Sequence, residues 1–130
     1  MKHAAGWNLM RFVLYLTYKD VQFDKFGCPI GIELAESNPA VKYYILENDW
    51  DDVDLFFDDH AIDEIANRCD SLISYGEADY FNAEKCTILK TWIDERLQKP
   101  ADPRNREMLE VLKDYCQQAV ELDTGVYIDF

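Results

Sequence analysis

The densest group of reactive side chains in the sequence is a run of carboxylates between residues 46 and 64. This segment, LENDWDDVDLFFDDHAIDE, contains nine Asp or Glu residues and no Lys or Arg. Clustered carboxylates serve three kinds of chemistry: they bind hard cations such as Ca²⁺, they form catalytic pairs, and they attract a positively charged partner. The spacing of the acids and the residues between them indicate which of these the segment supports.

The spacing argues against a metal site. DWDDVD resembles the start of a calcium-binding loop, which requires Gly at its sixth position and Glu at its twelfth. Counted from Asp49, those positions hold Asp54 and His60. The four cysteines lack the short spacings typical of zinc sites. We interpret them as reduced thiols, and we expect Cys69, Cys86 and Cys116 to be buried in helices as small hydrophobic residues. The sequence therefore predicts no metal and no other cofactor.

Sequence patterns of common catalytic sites are also missing. The chain contains no G-x-S-x-G, no glycine-rich phosphate loop and no G-x-G-x-x-G. His60 is surrounded by acids that favour its cation, so we interpret it as a surface or capping residue rather than a general base. We predict no catalytic residue and no enzymatic activity. An enzyme that uses paired carboxylates with a divalent cation stays open as an alternative, because any acidic protein offers such pairs.

Aromatic side chains between the acids favour an interaction surface. Trp50 has acids on both sides, and an aromatic anchor ringed by charge is typical of an interface hot spot. A second acidic stretch with a tyrosine, SLISYGEADYF, occupies residues 71–81. For both stretches the alternative is structural: a solvated acidic face above buried aromatics, or a loop between helices. The predicted partner-binding residues are Asp49, Trp50, Asp51, Asp52, Asp54, Asp58 and Asp59, followed by Glu77, Asp79 and Tyr80.

The net charge indicates what kind of partner such a surface would bind. The chain has 26 acids and 13 bases, a formal charge of −13. Nucleic acids and anionic membranes bind cationic surfaces, so we predict that neither is a partner. A basic protein is the expected partner by the same Coulomb argument. A second hypothesis is that the protein mimics nucleic acid and blocks a DNA-binding protein.

Two patterns of residue spacing along the chain, one typical of strands and one typical of helices, predict a single α+β domain spanning residues 1–130. Residues 8–18 are apolar on both sides, which suits a central strand, although a buried helix shows the same pattern. Alternating residues predict further strands at 30–34, 41–47 and 126–130. A strand as short as 126–130 does not stand alone. We therefore expect it to join the N-terminal strands in a small mixed or antiparallel sheet.

Helical spacing of apolar residues predicts about three helices packed against this sheet. Their ends carry the residue types that begin and end helices, such as Asp or Asn before the first turn and Gly or Pro after the last. The predicted helix boundaries are Asp58 or Asp59 to Gly76, Asn82 to Pro100, and Asp102 to Gly125.

The loops at 35–40, 48–58 and 76–81 are the candidates for function.

The sequence contains no segment of roughly 18 apolar residues that would suggest a membrane span. The apolar run at residues 9–16 is short, includes Arg11 and is followed by no small-residue cleavage site, so it makes a poor signal peptide. We therefore predict a cytoplasmic protein.

Three stretches together resemble the immunity proteins of bacterial polymorphic-toxin and contact-dependent growth inhibition systems. They are the acid and aromatic block at 46–64, DSLISYGEADYF at 70–81, and the ending AVELDTGVYIDF at 119–130. The resemblance implies a small α+β protein of the cytoplasm with no active site of its own. It also implies that the protein binds and neutralises one cognate toxin, often a basic nuclease.

Overall fold

The fold is α+β, with an antiparallel four-stranded sheet and helices packed on one of its faces. The computed structural model describes residues 11–25, 27–30, 37–46, 52, 61–69, 78–100 and 102–129. Within these ranges the strands are β1 (Arg11–Tyr15), β2 (Gln22–Phe23), β3 (Pro29–Ile30), β4 (Val41–Ile45), β5 (Ala78–Asn82) and β6 (Gly125–Asp129). The helices are α1 (Ala61–Cys69), α2 (Ala83–Arg96) and α3 (Pro103–Leu122).

The sheet places the first and last strands of the described chain side by side in its centre. Its order is β4-β1-β6-β5, and every neighbouring pair is antiparallel. Phe12 of β1 lies opposite Tyr44 on one side and Ile128 on the other. The predicted pairing of the C-terminal segment with an N-terminal strand is therefore confirmed. The ambiguity over the N-terminal apolar segment is also resolved, because Arg11–Tyr15 is a strand.

Alternation along the central strands divides the core into two layers. Phe12 and Leu14 of β1 join Val126 and Ile128 of β6 in the main core, which also contains apolar residues of the three helices. The opposite face of the sheet holds a smaller cluster that is rich in tyrosine. Successive side chains of a strand point to opposite faces, which explains why both sides of the N-terminal segment are apolar.

Capping residues set the ends of α2 and α3 close to the predicted positions. Asn82 accepts a hydrogen bond from the Lys85 amide at 2.9 Å, and Asp102 accepts one from the Arg104 amide at 2.8 Å. The predicted end of α3 at Gly125 is corrected. The helix ends at Leu122, its C-cap Asp123 adopts a left-handed conformation with a φ of 55°, and Gly125 begins β6 instead.

Strand β5 replaces part of a predicted loop. We expected residues 76–81 to connect two helices without regular structure, but Ala78–Asn82 pairs with β6 along its whole length. Tyr80 and Phe81 are buried on opposite faces of the sheet, which explains the extended conformation. The ring of Tyr80 lies so close to Gly125 that any Cβ there would collide with it.

Other sequence predictions fall partly outside the described residues. Of the predicted strand at 30–34, only Ile30 is described, and it pairs with Gln22 in a two-stranded hairpin. The described part of the first predicted helix is Ala61–Cys69. Its predicted capping and stop residues, and the C-terminal Phe130, lie outside the described ranges.

Candidate functional site

Three of the ten predicted partner-binding residues fall within the described structure, and these three do not form one surface. Asp52 contacts the first turn of α3 next to β4, whereas Asp79 and Tyr80 belong to β5 at the other edge of the described sheet. The seven that lie outside the described residues are Asp49, Trp50, Asp51, Asp54, Asp58, Asp59 and Glu77.

Asp52 is buried rather than exposed at the surface. Its side chain is 0% exposed. Both carboxylate oxygens accept hydrogen bonds from the Arg104 guanidinium, Oδ1 from Nε at 3.2 Å and Oδ2 from Nη2 at 2.7 Å. A rigid partner would not reach this carboxylate, so the structure corrects its predicted exposure. The physical reason is that the pair satisfies a charge that would be costly to bury alone.

Tyr80 is also buried, at 6% exposure, and has a packing role. Its ring packs edge-on against Tyr15, with ring centroids 5.6 Å apart and an interplanar angle of 88°. Asp79 is partly exposed, and its carboxylate accepts a hydrogen bond from the Tyr80 amide at 2.8 Å. Of the three described candidates, only Asp79 is therefore accessible at the surface.

A groove of about 630 Å³ lies between β4 and α3. We call it the α3 groove. Its deeper part is apolar, because Tyr115 is buried and Tyr44 and Val111 are half-buried. Its charged residues are exposed. The described residues that line it are Tyr44, Pro103, Arg106, Glu107, Glu110, Val111, Asp114 and Tyr115.

A hydrogen-bond network fixes one wall of the α3 groove. Arg104 donates to the Tyr44 hydroxyl at 2.6 Å and also contacts the Glu107 carboxylate. The Tyr44 hydroxyl in turn donates to Glu107 at 2.9 Å. The same guanidinium therefore holds the buried Asp52 and orients Glu107 towards the groove wall. Glu107 itself is 59% exposed and within reach of a partner.

The surroundings raise the pKa values of Tyr44 and Arg104. Burial, and then the hydrogen bond to Glu107, raise the pKa of Tyr44 to about 12. The hydrogen bonds to Asp52 raise the pKa of Arg104 further above its ordinary value. Tyr44 is thus a neutral donor and Arg104 a cation at neutral pH.

A second groove of about 410 Å³ lies on the other side of α3, where that helix packs against α2. We call it the α2–α3 groove. Its two lysines are engaged: Lys113 binds Asp94 at 2.6 Å, and Lys90 donates to the Gln117 side chain. Glu110 and Asp114 line both grooves, so they form a ridge between them.

The described residues contain no group of three or more His, Cys, Asp or Glu side chains placed to hold a metal ion. The four cysteines are free thiols, and Cys69, Cys86 and Cys116 are buried, which confirms their predicted packing role. Burial raises the pKa of Cys69 to about 11, so its thiol is protonated at neutral pH. Among the described helices, none is long and apolar enough to cross a membrane.

Sequence inspection missed the α3 groove, although its acids carry a readable signal. Glu107, Glu110 and Asp114 follow one another at spacings of three and four, which places them on one side of a helix. That stripe is less dense than the acidic block at 46–64, which is the stronger local signal. The contribution of Tyr44 depends on strand β4 lying beside α3, and no local pattern indicates that contact.

No protein-family model, no curated protein sequence and no solved structure matches this chain. Its function must therefore be inferred from the geometry and charge of its own side chains.

Proposed function

We propose that the protein is an acidic binding protein that neutralises a basic protein partner by forming a stoichiometric complex. The observation that carries the proposal is the α3 groove, in which an apolar floor lies among three exposed carboxylates. The partner's identity as a cognate toxin, and the cytoplasm as the site of action, come from the resemblance to immunity proteins. Both are part of the proposal.

Charge and apolar surface have separate roles in such a complex. With a formal charge of −13, the protein attracts a basic partner and accelerates its approach. Apolar contacts in a desolvated groove then slow dissociation, because burial of aromatic and aliphatic anchors supplies most of the binding energy of typical interfaces. A nuclease toxin is a suitable partner, since it needs a cationic surface to bind phosphates.

The nucleic-acid-mimic alternative receives some support from the same stripe of acids. Glu107, Glu110 and Asp114 run along α3 in a row, as a phosphate mimic requires. However, the cations Arg106 and Lys113 are interspersed with them on the same grooves. A nucleic-acid backbone presents only anions, so the mixed charges favour a protein-specific surface over a mimic.

Co-expression with a candidate toxin tests the proposed function. The candidate is the C-terminal domain encoded by the reading frame adjacent to this protein's gene. We expect that the domain arrests growth of a bacterial host and that the protein restores growth and forms a one-to-one complex with the purified domain. The variant that tests the role of the groove reverses two charges, with Glu110→Lys and Asp114→Lys. It should protect the host less well than the wild type at equal abundance. Arrest that is unaffected by the wild-type protein, with no complex formed, would contradict the proposal.

A further inference from the structure

The ridge between the two grooves contains a like-charge pair that the described cations compensate only in part. Glu110 and Asp114 are exposed and stand one helical turn apart on α3. The nearest ion-pair partner of Glu110 is Arg106, with its Nε 3.9 Å from the carboxylate. Asp114 accepts a hydrogen bond from the neutral amide of Gln118 at 2.8 Å. Like charges at this spacing destabilise a helix.

Apart from Arg106, the cations near the ridge are engaged elsewhere. Lys113, although adjacent to Asp114 in sequence, binds Asp94 of α2 at 2.6 Å. Lys90 donates to Gln117 on the far side of the α2–α3 groove. Arg104 is held by Asp52, Tyr44 and Glu107. Within the described part of the chain, the ridge carboxylates therefore have one long ion pair, between Glu110 and Arg106, while the other nearby cations are held by other side chains.

Apolar surface lies on both sides of the ridge. The α3 groove provides Val111 and Tyr115, and the α2–α3 groove provides Leu97. An arginine or lysine side chain has this combination of properties, with an aliphatic stem and a charged head. Arginine fits two carboxylates better, because its planar guanidinium has five donors in a fixed geometry whereas an ammonium is a compact point charge.

We propose that the Glu110–Asp114 ridge is the docking site of an arginine-containing segment of the partner protein. The guanidinium binds between the two carboxylates, whose Cα atoms are separated by about 6 Å along the helix axis. Apolar residues beside that arginine enter the α3 groove against Val111 and Tyr115. This inference rests on the proposed function and specifies the chemistry that the binding site recognises.

Two labelled hexapeptides of equal charge test the inference, one alternating Arg and Leu and the other alternating Lys and Leu. Fluorescence anisotropy would give their affinities for the full-length protein. We expect the Arg peptide to bind several-fold more tightly than the Lys peptide. The double variant Glu110→Gln and Asp114→Asn should weaken the Arg peptide by about tenfold, as expected when charge-assisted hydrogen bonds are lost.

The matched control is Asp20→Asn and Glu84→Gln, which removes two exposed charges that line neither groove. Its effect on the Arg peptide should stay below about twofold, because these sites are distant and screened. Equal weakening by both double variants would overturn the inference, since it would show a general charge effect. No weakening by the ridge variant would also overturn it.

Two further measurements keep this inference separate from the proposed function. Thermal unfolding should show that the ridge variant is about as stable as the wild type, because neutralisation removes a repulsion together with the long Glu110–Arg106 ion pair. If the wild type protects cells from the toxin domain but the ridge variant binds the Arg peptide normally, the docking site is wrong and the function stands. If the peptide binds at the ridge but no protection occurs, the proposed function fails instead.

Discussion

Deletion of residues 126–130 should produce a chain that does not fold cooperatively. Strand β6 lies between β1 and β5, so its loss separates β5 from the rest of the described sheet. Val126 and Ile128 are completely buried. Their burial alone contributes roughly 1.5–3 kcal/mol for each side chain. Added to the lost strand pairing, this approaches the whole net stability of a small domain, about 5–15 kcal/mol.

Urea unfolding followed by circular dichroism measures this effect. The substitution Ile128→Val is the matched control, because it keeps the strand and should cost only about 0.5–1.5 kcal/mol. The control should unfold in a single transition at a lower urea concentration than the wild type. A truncated chain with the wild-type transition midpoint would show that β6 is not a central strand.

Replacement of Asp52 by Ala should destabilise the protein by about 3 kcal/mol, the lower end of the range for breaking a buried ion pair. The lower end applies because Arg104 is 24% exposed and water can partly solvate it once its partner is gone. The loss should be visible as a lower midpoint in urea unfolding.

The control for Asp52 uses another carboxylate that contacts the same guanidinium. Glu107 is 59% exposed, and exposed ion pairs contribute at most about 1 kcal/mol, so Glu107→Gln should change stability little. Replacing both members of the buried pair, with Asp52→Leu and Arg104→Met, should recover much of the stability lost in Asp52→Ala. Equal effects of Asp52→Ala and Glu107→Gln would contradict the assignment of a buried pair.

The role of Asp52 also affects how the acidic block at 46–64 can be tested. A charge reversal that includes Asp52 would disturb folding as well as any interface, so its effect on binding would be ambiguous. The neighbouring acids Asp51 and Asp54 can be varied without it. Variants of these two residues are therefore the suitable test of the prediction that the block contacts a partner.

The parts of the fold that were predictable depend on local signals. Asn82 and Asp102 cap helices through hydrogen bonds to amides two or three residues away, so their role can be seen in the sequence. The alternation of Val126 and Ile128 likewise predicts a strand with one buried face. These signals involve neighbouring residues only, which explains why the structure agrees with them.

The parts that were not predictable depend on distant residues. Asp52 is one of several similar acids in its segment, and its burial follows from Arg104, which lies 52 positions away in the sequence. Strand β5 contains Asp79 and begins shortly after Gly76, a composition that favours a loop. Burial of Tyr80 and Phe81 against β6 outweighs this local preference. The α3 groove likewise exists only because β4 packs beside α3.

The central claim is that this protein captures a basic partner through charge and then holds it by apolar contacts. Its most direct test is the association rate with the purified candidate toxin domain, measured by stopped flow from about 10 mM to about 150 mM salt, where the Debye length falls from about 30 Å to about 8 Å. We predict that the rate falls at least about tenfold across this range, and that Glu110→Gln with Asp114→Asn associates more slowly and with a weaker salt dependence. An association rate that does not change with salt would contradict the claim.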